Sequence, residues 1–304
     1  MKESNNKNTI YIMEYHPEVR QFIEKRGYKV YSAYKGNGIV SRVLRELCFR
    51  IKLLPEHIWY NRRLLKANPD YILIRDPLIT KQYLIWILKK FPNAQVNYYY
   101  ANLIGKAKHL FPSEVPSGIR IWTYDKGDSE KYQIRLRLEK AYDIDEVPPK
   151  KSPKYDVLFV GRDKGRGEYL LDLEKQMKNL GLRTKFLICA DGRFSKPKDY
   201  YAKQVPYEQI VEWISESKSI LNVVMDGQYG ITKRDVESVF HDVKLLTTNS
   251  HIVDSEVYDP NNVFIIGKQD LVDLPHFLAI PTNRREDLIR KYSLENTIIE
   301  MTKD

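Results

Sequence analysis

The chain has 304 residues, 42% of them hydrophobic, which suits two domains of roughly 150 residues each and excludes bulk disorder. A net charge of +10 favours anionic partners: nucleic acid, a membrane surface or phosphorylated small molecules. No stretch reaches the roughly 18 consecutive apolar residues of a membrane span. The segment from Met1 to Asn8 is polar and lacks the apolar core of a signal peptide, and Cys48 and Cys189, in unrelated contexts, read as reduced thiols of a cytoplasmic protein.

The first half alternates short apolar runs with amphipathic stretches. Residues 9–13 read as a strand, 17–26 as a helix and 29–32 as a second short strand. Residues 39–66 form a long basic helical region broken at Pro55. Residues 71–74 read as a strand ending in the loop Arg75-Asp76-Pro77, 79–90 as a helix, and 95–100 and 119–124 as further strands. This β-α-β alternation predicts a parallel sheet with helices on both faces. Prolines 148, 149 and 153, set among charges, then mark a linker, which divides the chain into domains 1–148 and 149–304.

The second half restarts the rhythm. Strands are expected at 155–160, 185–189, 220–224, 244–248 and 263–266. Helices are expected at 167–180, 207–217, 233–241, 270–278, 284–292 and 294–301, the last of which is expected to pack back on the first domain. The fold class is therefore α/β: two Rossmann-like doubly wound domains facing a cleft. In such sheets ligands bind beyond the carboxyl ends of the strands.

Two segments carry chemistry. In Val157-Leu158-Phe159-Val160-Gly161-Arg162-Asp163-Lys164-Gly165-Arg166-Gly167 an apolar strand runs into a glycine-rich basic turn and then a helix. Gly161 lets the backbone approach a ligand, and Arg162, Lys164 and Arg166 suit phosphate oxygens. The turn is neither a dinucleotide fingerprint nor a P-loop, which weighs against dehydrogenase and kinase readings. The alternative is an ordinary charged β-α turn. In the second segment a strand leads through Gly230 to Thr232, which caps a helix whose first amides would face a diphosphate. Arg234 and Glu237 share one face of that helix. Glu237 is placed to accept hydrogen bonds from two ribose hydroxyls, or else to pair with Arg234 on the surface. The two segments together suit a nucleoside diphosphate.

These phrases resemble the second domain of GT-B glycosyltransferases from capsule, lipopolysaccharide and spore-coat polysaccharide gene clusters. The likeness rests on Phe159 to Arg166, Ser215 to Val223, Arg234-Asp235-Val236-Glu237-Ser238, Lys244 to Asn249 and, in the first domain, Trp122 to Tyr132. It is thin before Ile119. It implies a bacterial glycosyltransferase that moves a sugar from a nucleotide-sugar donor to a hydroxyl of a glycan or lipid-linked acceptor. It places Glu237 at the donor ribose and the Arg162–Arg166 loop at the diphosphate. Many retaining members carry an acidic residue seven positions before that glutamate, where this chain has Gly230. The stereochemical outcome is therefore open.

His16, after the first strand, is a candidate base because an imidazole titrates near neutrality and several inverting GT-B enzymes keep a base near that place. It also suits a helix cap or the surface. Asp76 and Asp125 follow strands and are alternative bases. Asp143-Ile144-Asp145 spells a metal-binding DxD but lies before the linker and not at a strand end, so no metal or other cofactor is expected. The basic 39–66 region reads either as a helix lying on an anionic membrane from the cytoplasmic side or as a core-facing helix with a solvated basic face. No nucleic-acid-binding motif is present, so no nucleic-acid partner is expected and that reading of the charge stays distant. The alternatives to a transferase are a nucleotide-sugar epimerase or hydrolase on the same scaffold and a non-catalytic basic protein that binds membrane or nucleic acid.

Overall fold

The computed structural model describes residues 8–14, 17–36, 38–51, 54–105, 110–137, 147–192, 195–225 and 230–303. The chain divides into two compact units, one of residues 1–139 with 298–304 and one of residues 140–297.

The first unit is built on six parallel strands: β1 (Thr9–Met13), β2 (Lys29–Tyr31), β3 (Tyr71–Arg75), β4 (Gln95–Tyr100), β5 (Ile119–Thr123) and β6 (Arg135–Leu136). Their spatial order is β2-β1-β3-β4-β5-β6. In register, Ile10 of β1 pairs with Ile72 of β3, and Ile72 with Val96 of β4. All five residues of β1 are buried, as a central parallel strand covered on both faces requires. Helices α1 (Pro17–Lys25), α2 (Ile39–Ile51), α3 (Lys81–Lys90) and α4 (Lys126–Tyr132) complete the unit. The last turn of the chain belongs here too: the Gln95 side-chain amide donates to the Met301 carbonyl at 3.1 Å, and Arg137 pairs with Glu300.

The 39–66 region is helical on both sides of Pro55, as 3-10 turns beyond it. After α2 it continues as two 3-10 turns, Glu56–Ile58 and Arg62–Lys66. Its polarity corrects the expectation of a core-facing apolar stripe with a solvated basic face, because α2 turns Arg45 inward. That guanidinium lies 3.7 Å from the Glu14 carboxylate and over the Tyr34 ring at 4.4 Å. The inner space that aliphatic side chains would otherwise fill is taken by the mutually packed rings of Tyr34, Phe49, Tyr60 and Tyr83.

The second unit holds β7 (Tyr155–Arg162), β8 (Thr184–Cys189), β9 (Ser217–Asn222), β10 (Lys244–Thr247) and β11 (Val263–Ile265), all parallel, in the order β11-β10-β9-β7-β8. Its helices are α5 (Gly167–Asn179), α6 (Tyr207–Ser215), α7 (Lys233–Phe240), α8 (Leu274–Ala279) and α9 (Glu286–Lys291), followed by α10 (Leu294–Thr302), which runs on into the first unit. Successive residues of a strand point to opposite faces. Accordingly Val157 and Phe159 join a core with Leu170 of α5 and Phe277 of α8, while Leu158 joins another with Ile214 of α6. The sheet is thus covered on both sides, and the architecture is α/β with two Rossmann-like units. Among the described residues no helix is long and apolar enough to cross a membrane.

Candidate functional site

Strand order locates the site. The second sheet reverses direction of winding between β7 and β9: the chain leaves β7 toward β8 and afterwards returns to build β9, β10 and β11 on the other side. The crevice beyond the carboxyl ends of two strands at such a switch point is where open α/β sheets hold ligands. The loop after β7 and the loop leading from β9 to α7 both end there, and they are the two segments singled out in the sequence.

The β7–α5 loop is shaped by a buried carboxylate. Asp163 accepts from the Gly167 amide at 2.7 Å, capping α5, and its other oxygen accepts from the Tyr201 phenol at 2.6 Å and from the Tyr200 phenol and the Lys198 ammonium, both at 3.0 Å. Burial alone would push the Asp163 carboxyl up. The hydrogen bonds from Tyr201, Lys198, Tyr200 and the Gly167 amide outweigh burial and hold it well below the usual carboxylate range. Lys164 and Gly165 have φ of 50° and 76°, a tight left-handed turn that suits the glycine. Asp191 steadies the loop from β8, accepting the Lys164 amide through its side chain and Arg162 through its carbonyl, each at 2.8 Å.

This frame gathers cations. Burial lowers the affinity of the Lys164 ammonium for its proton, and the charges of Arg166 and Arg162 lower it further. Burial likewise lowers the Arg166 guanidinium; Asp191 and Asp163 oppose the shift, and Arg234 of α7 adds to it. The Arg166 Nε is buried without a hydrogen-bond partner among the described residues. Lys164 thus lies near Arg162 and Arg166, and Arg166 near Arg234, with Asp163, Asp191 and Glu237 standing among them as partial counter-ions. Cations still outnumber carboxylates there, which favours a further anion.

α7 is locked in place from β9. Asn222 donates to Thr232 Oγ1 at 3.0 Å and to Asp235 at 2.7 Å, and Asp235 accepts from the Thr232 amide at 2.6 Å in a capping box. Thr232 is the expected cap. Two of the first-turn amides expected to face a diphosphate are used by that cap: Arg234 N donates to Thr232 Oγ1 at 3.2 Å, and the Asp235 amide closes the capping box. The helix dipole and the Arg234 side chain stand at the same end.

Glu237 is 1% exposed. One oxygen accepts from Arg234 at 2.6 Å; the other accepts from the Tyr207 phenol at 2.7 Å and lies 3.6 Å from Lys233. The pairing with Arg234 is thus realised, but in a buried network and not on the surface.

Of the other expected residues, Gly161 sits in β7 with its Cα face against the Phe159 ring, and Gly230 is buried before Thr232. Asp76, fully buried at the end of β3, accepts from the Ala101 amide at 2.5 Å. Asp125 caps α4 through the Asp128 amide at 2.9 Å. Both belong to the first unit, and both carboxylates hold backbone in place. His16 and Asp143 to Asp145 lie outside the described residues. Among the described residues no group of three or more His, Cys, Asp or Glu side chains gathers as metal ligands. Sequence reasoning missed Asp163, Asp235, Tyr207 and the Lys198-Tyr200-Tyr201 set. The Thr-x-x-Asp spacing of 232 and 235 was the available signal for one of them; the others meet only in three dimensions.

No family model matches the chain, and no curated protein matches it. Among solved structures it is similar to AviGT4, a glycosyltransferase involved in avilamycin A biosynthesis, with 12% identity and a TM-score of 0.50 over 78% of this chain and 84% of that one. It is also similar to Methanocaldococcus jannaschii UDP-GlcNAc 2-epimerase, solved with UDP-GlcNAc and UDP, with 12% identity and a TM-score of 0.46 over 96% and 98% of the two chains. At such identities a likeness speaks of fold. The two Rossmann-like units are those of the GT-B fold.

Proposed function

We propose that the protein is a glycosyltransferase that binds a nucleotide-diphosphate sugar at the switch point of its second sheet. The observation that carries this reading is the convergence at the switch point of Arg162, Lys164 and Arg166 from the end of β7 and its loop with Arg234 of α7, which bonds the Val160 carbonyl of β7. A diphosphate supplies further negative charge. When the glycosidic bond breaks, the same groups stabilise the departing nucleoside diphosphate, so this chemistry asks no metal of the protein. Each preorganised donor of this kind is worth about 3 kcal/mol of barrier. Glu237 takes the donor ribose by exchanging its bond with the Tyr207 phenol for ribose hydroxyls. The acceptor is a hydroxyl of a glycan or lipid-linked saccharide, in keeping with the resemblance to surface-polysaccharide enzymes. The bases proposed to receive its proton are His16, Asp76 and Asp125, the last two only on releasing the backbone amides they hold.

A thermal-shift panel of UDP, GDP, CDP, dTDP, ADP and NAD tests the donor site. A ligand at about 100 times its Kd adds about 2.7 kcal/mol and raises the midpoint by several degrees. One nucleoside diphosphate is expected to stand out and name the base. A response to NAD alone, or equal responses to inorganic sulfate and every nucleotide, would remove the nucleotide-sugar reading. Donor consumption without an acceptor would move the activity to epimerisation or hydrolysis.

A further inference from the structure

The face that α2 turns outward is its apolar one. Val40, Val43, Leu44, Leu47 and Ile51 recur at three- and four-residue spacing, so they form one stripe along the helix. Val40 is 72%, Val43 61% and Ile51 54% exposed, whereas Arg45 on the inner face is 3% exposed. A helix of a water-facing protein ordinarily does the reverse. An exposed stripe of this kind marks a surface built to meet something else.

The charge of this stretch of chain chooses the occupant. Arg50 lies three residues beyond Leu47 and Glu46 three beyond Val43, so both border the stripe. Arg62, Arg63 and Lys66 on the following turns and Lys35 before the helix are also exposed, while the segment 39–66 holds only two acidic residues, Glu46 and Glu56. A second copy of the chain would bring a net +10 against a net +10. An anionic lipid surface offers the opposite charge together with an apolar interior at the depth of the headgroup boundary. We propose that the outward face of α2 docks on an anionic bilayer, its aliphatic stripe entering the acyl boundary while Arg50, Arg62, Arg63 and Lys66 meet lipid phosphates. The helix lies along the surface; at 13 residues it is too short to span it. This binding is independent of the donor site and needs no nucleotide.

Co-sedimentation of the full chain, without nucleotide, with vesicles of phosphatidylcholine alone or with about a third phosphatidylglycerol tests it. Binding is expected to the anionic vesicles and to weaken with added salt. Val43→Ser with Leu47→Ser is expected to weaken it at least ten-fold, on the order of what removing two aliphatic anchors from the acyl boundary implies. Both side chains are exposed, so far-UV circular dichroism and the thermal midpoint should stay unchanged. Failure of the unaltered chain to bind anionic vesicles overturns the proposal, as does equal binding by the double variant. A dimer in sedimentation velocity that the same variant dissociates, with no vesicle binding, assigns the face to a second copy instead.

Discussion

Arg234 donates to Glu237 at 2.6 Å and, through its other terminal nitrogen, to the Val160 carbonyl at 2.9 Å. One side chain therefore ties the first turn of α7 to the end of β7, across the switch point where the donor is proposed to sit. Glu237→Gln keeps the shape and removes the charge, leaving a largely buried guanidinium without its counter-ion. The fold is expected to lose about 2–4 kcal/mol, read as a lower urea midpoint at unchanged slope. A loss under about 0.5 kcal/mol would show that the pair contributes little to the fold. Tyr207→Phe separates the ribose role from this structural one: it removes the phenol from the Glu237 oxygen that also faces Lys233 while leaving Arg234 paired, so nucleotide affinity should hold or rise.

Arg162→Gln with Arg166→Gln removes positive charge from the loop but also the Arg162 bond to the Asp191 carbonyl, and is expected to move the thermal midpoint by no more than a few degrees. Affinity for the nucleoside diphosphate should fall at least about 100-fold, since each lost charge-assisted hydrogen bond is worth about 1.5–3 kcal/mol, while affinity for the bare nucleoside should stay. Calorimetric titration with both ligands measures the difference. An equal loss for both would mean that the loop does not read phosphate.

His241 follows Glu237 by one turn and is buried at the end of α7. Burial pushes its imidazole down to about 4; Glu237 acts against the shift and Arg234 with it. The unfolded chain binds this proton near 6.5 and the folded chain does not, so stability is full above that pH and declines as pH falls toward 4. The expected decline is roughly 2–4 kcal/mol over that window. Urea midpoints at pH 7.5 and about 4.5 check it, and His241→Gln should flatten the difference. A variant that keeps the full pH dependence would assign it to other groups.

At Gly167 an added methyl would stand 2.7 Å from the Tyr200 ring carbon that bears the hydroxyl. Gly167→Ala should therefore push Tyr200 off Asp163 and loosen the basic loop, costing about 1–3 kcal/mol despite the better helix propensity of alanine. Thermal denaturation reads the cost. Adding Tyr200→Ala should recover part of it by making room. A midpoint raised by the single variant would show that the loop does not depend on this close approach.

The apolar strands were the legible part of the sequence: 9–13, 95–100 and 155–160 alternate or run as buried parallel strands must. β9 was legible only in part. It starts at Ser217, three residues before the expected 220, because Ser217 and Ser219 carry no apolar signal. Each hydroxyl is answered locally, by the Trp213 and Asp156 carbonyls at 2.7 Å, and so a polar residue sits in a buried strand. The cations of the site could be read from 162–166 and 234 because they are close in sequence to glycines and strand ends. The carboxylate that positions them could not, since Asp163 meets Lys198, Tyr200 and Tyr201 across a long loop with no periodicity to announce it. α2 shows a different limit. Its apolar and basic residues interleave so evenly that periodicity reveals an amphipathic helix without revealing which face the fold keeps.

The first unit is completed by residues 298–304, which pair Met301 with Gln95 and Glu300 with Arg137. During translation the bulk of that unit leaves the ribosome first, yet its final turn is made only after the whole second unit. The order of synthesis is thus the reverse of the order in which the units can be finished. The second unit, uninterrupted in sequence, is free to close while the first waits with Arg137 unanswered by Glu300. A fragment cut at the boundary between the units would inherit the same unfinished edge, and supplying the last helix as a separate peptide is the way to close it.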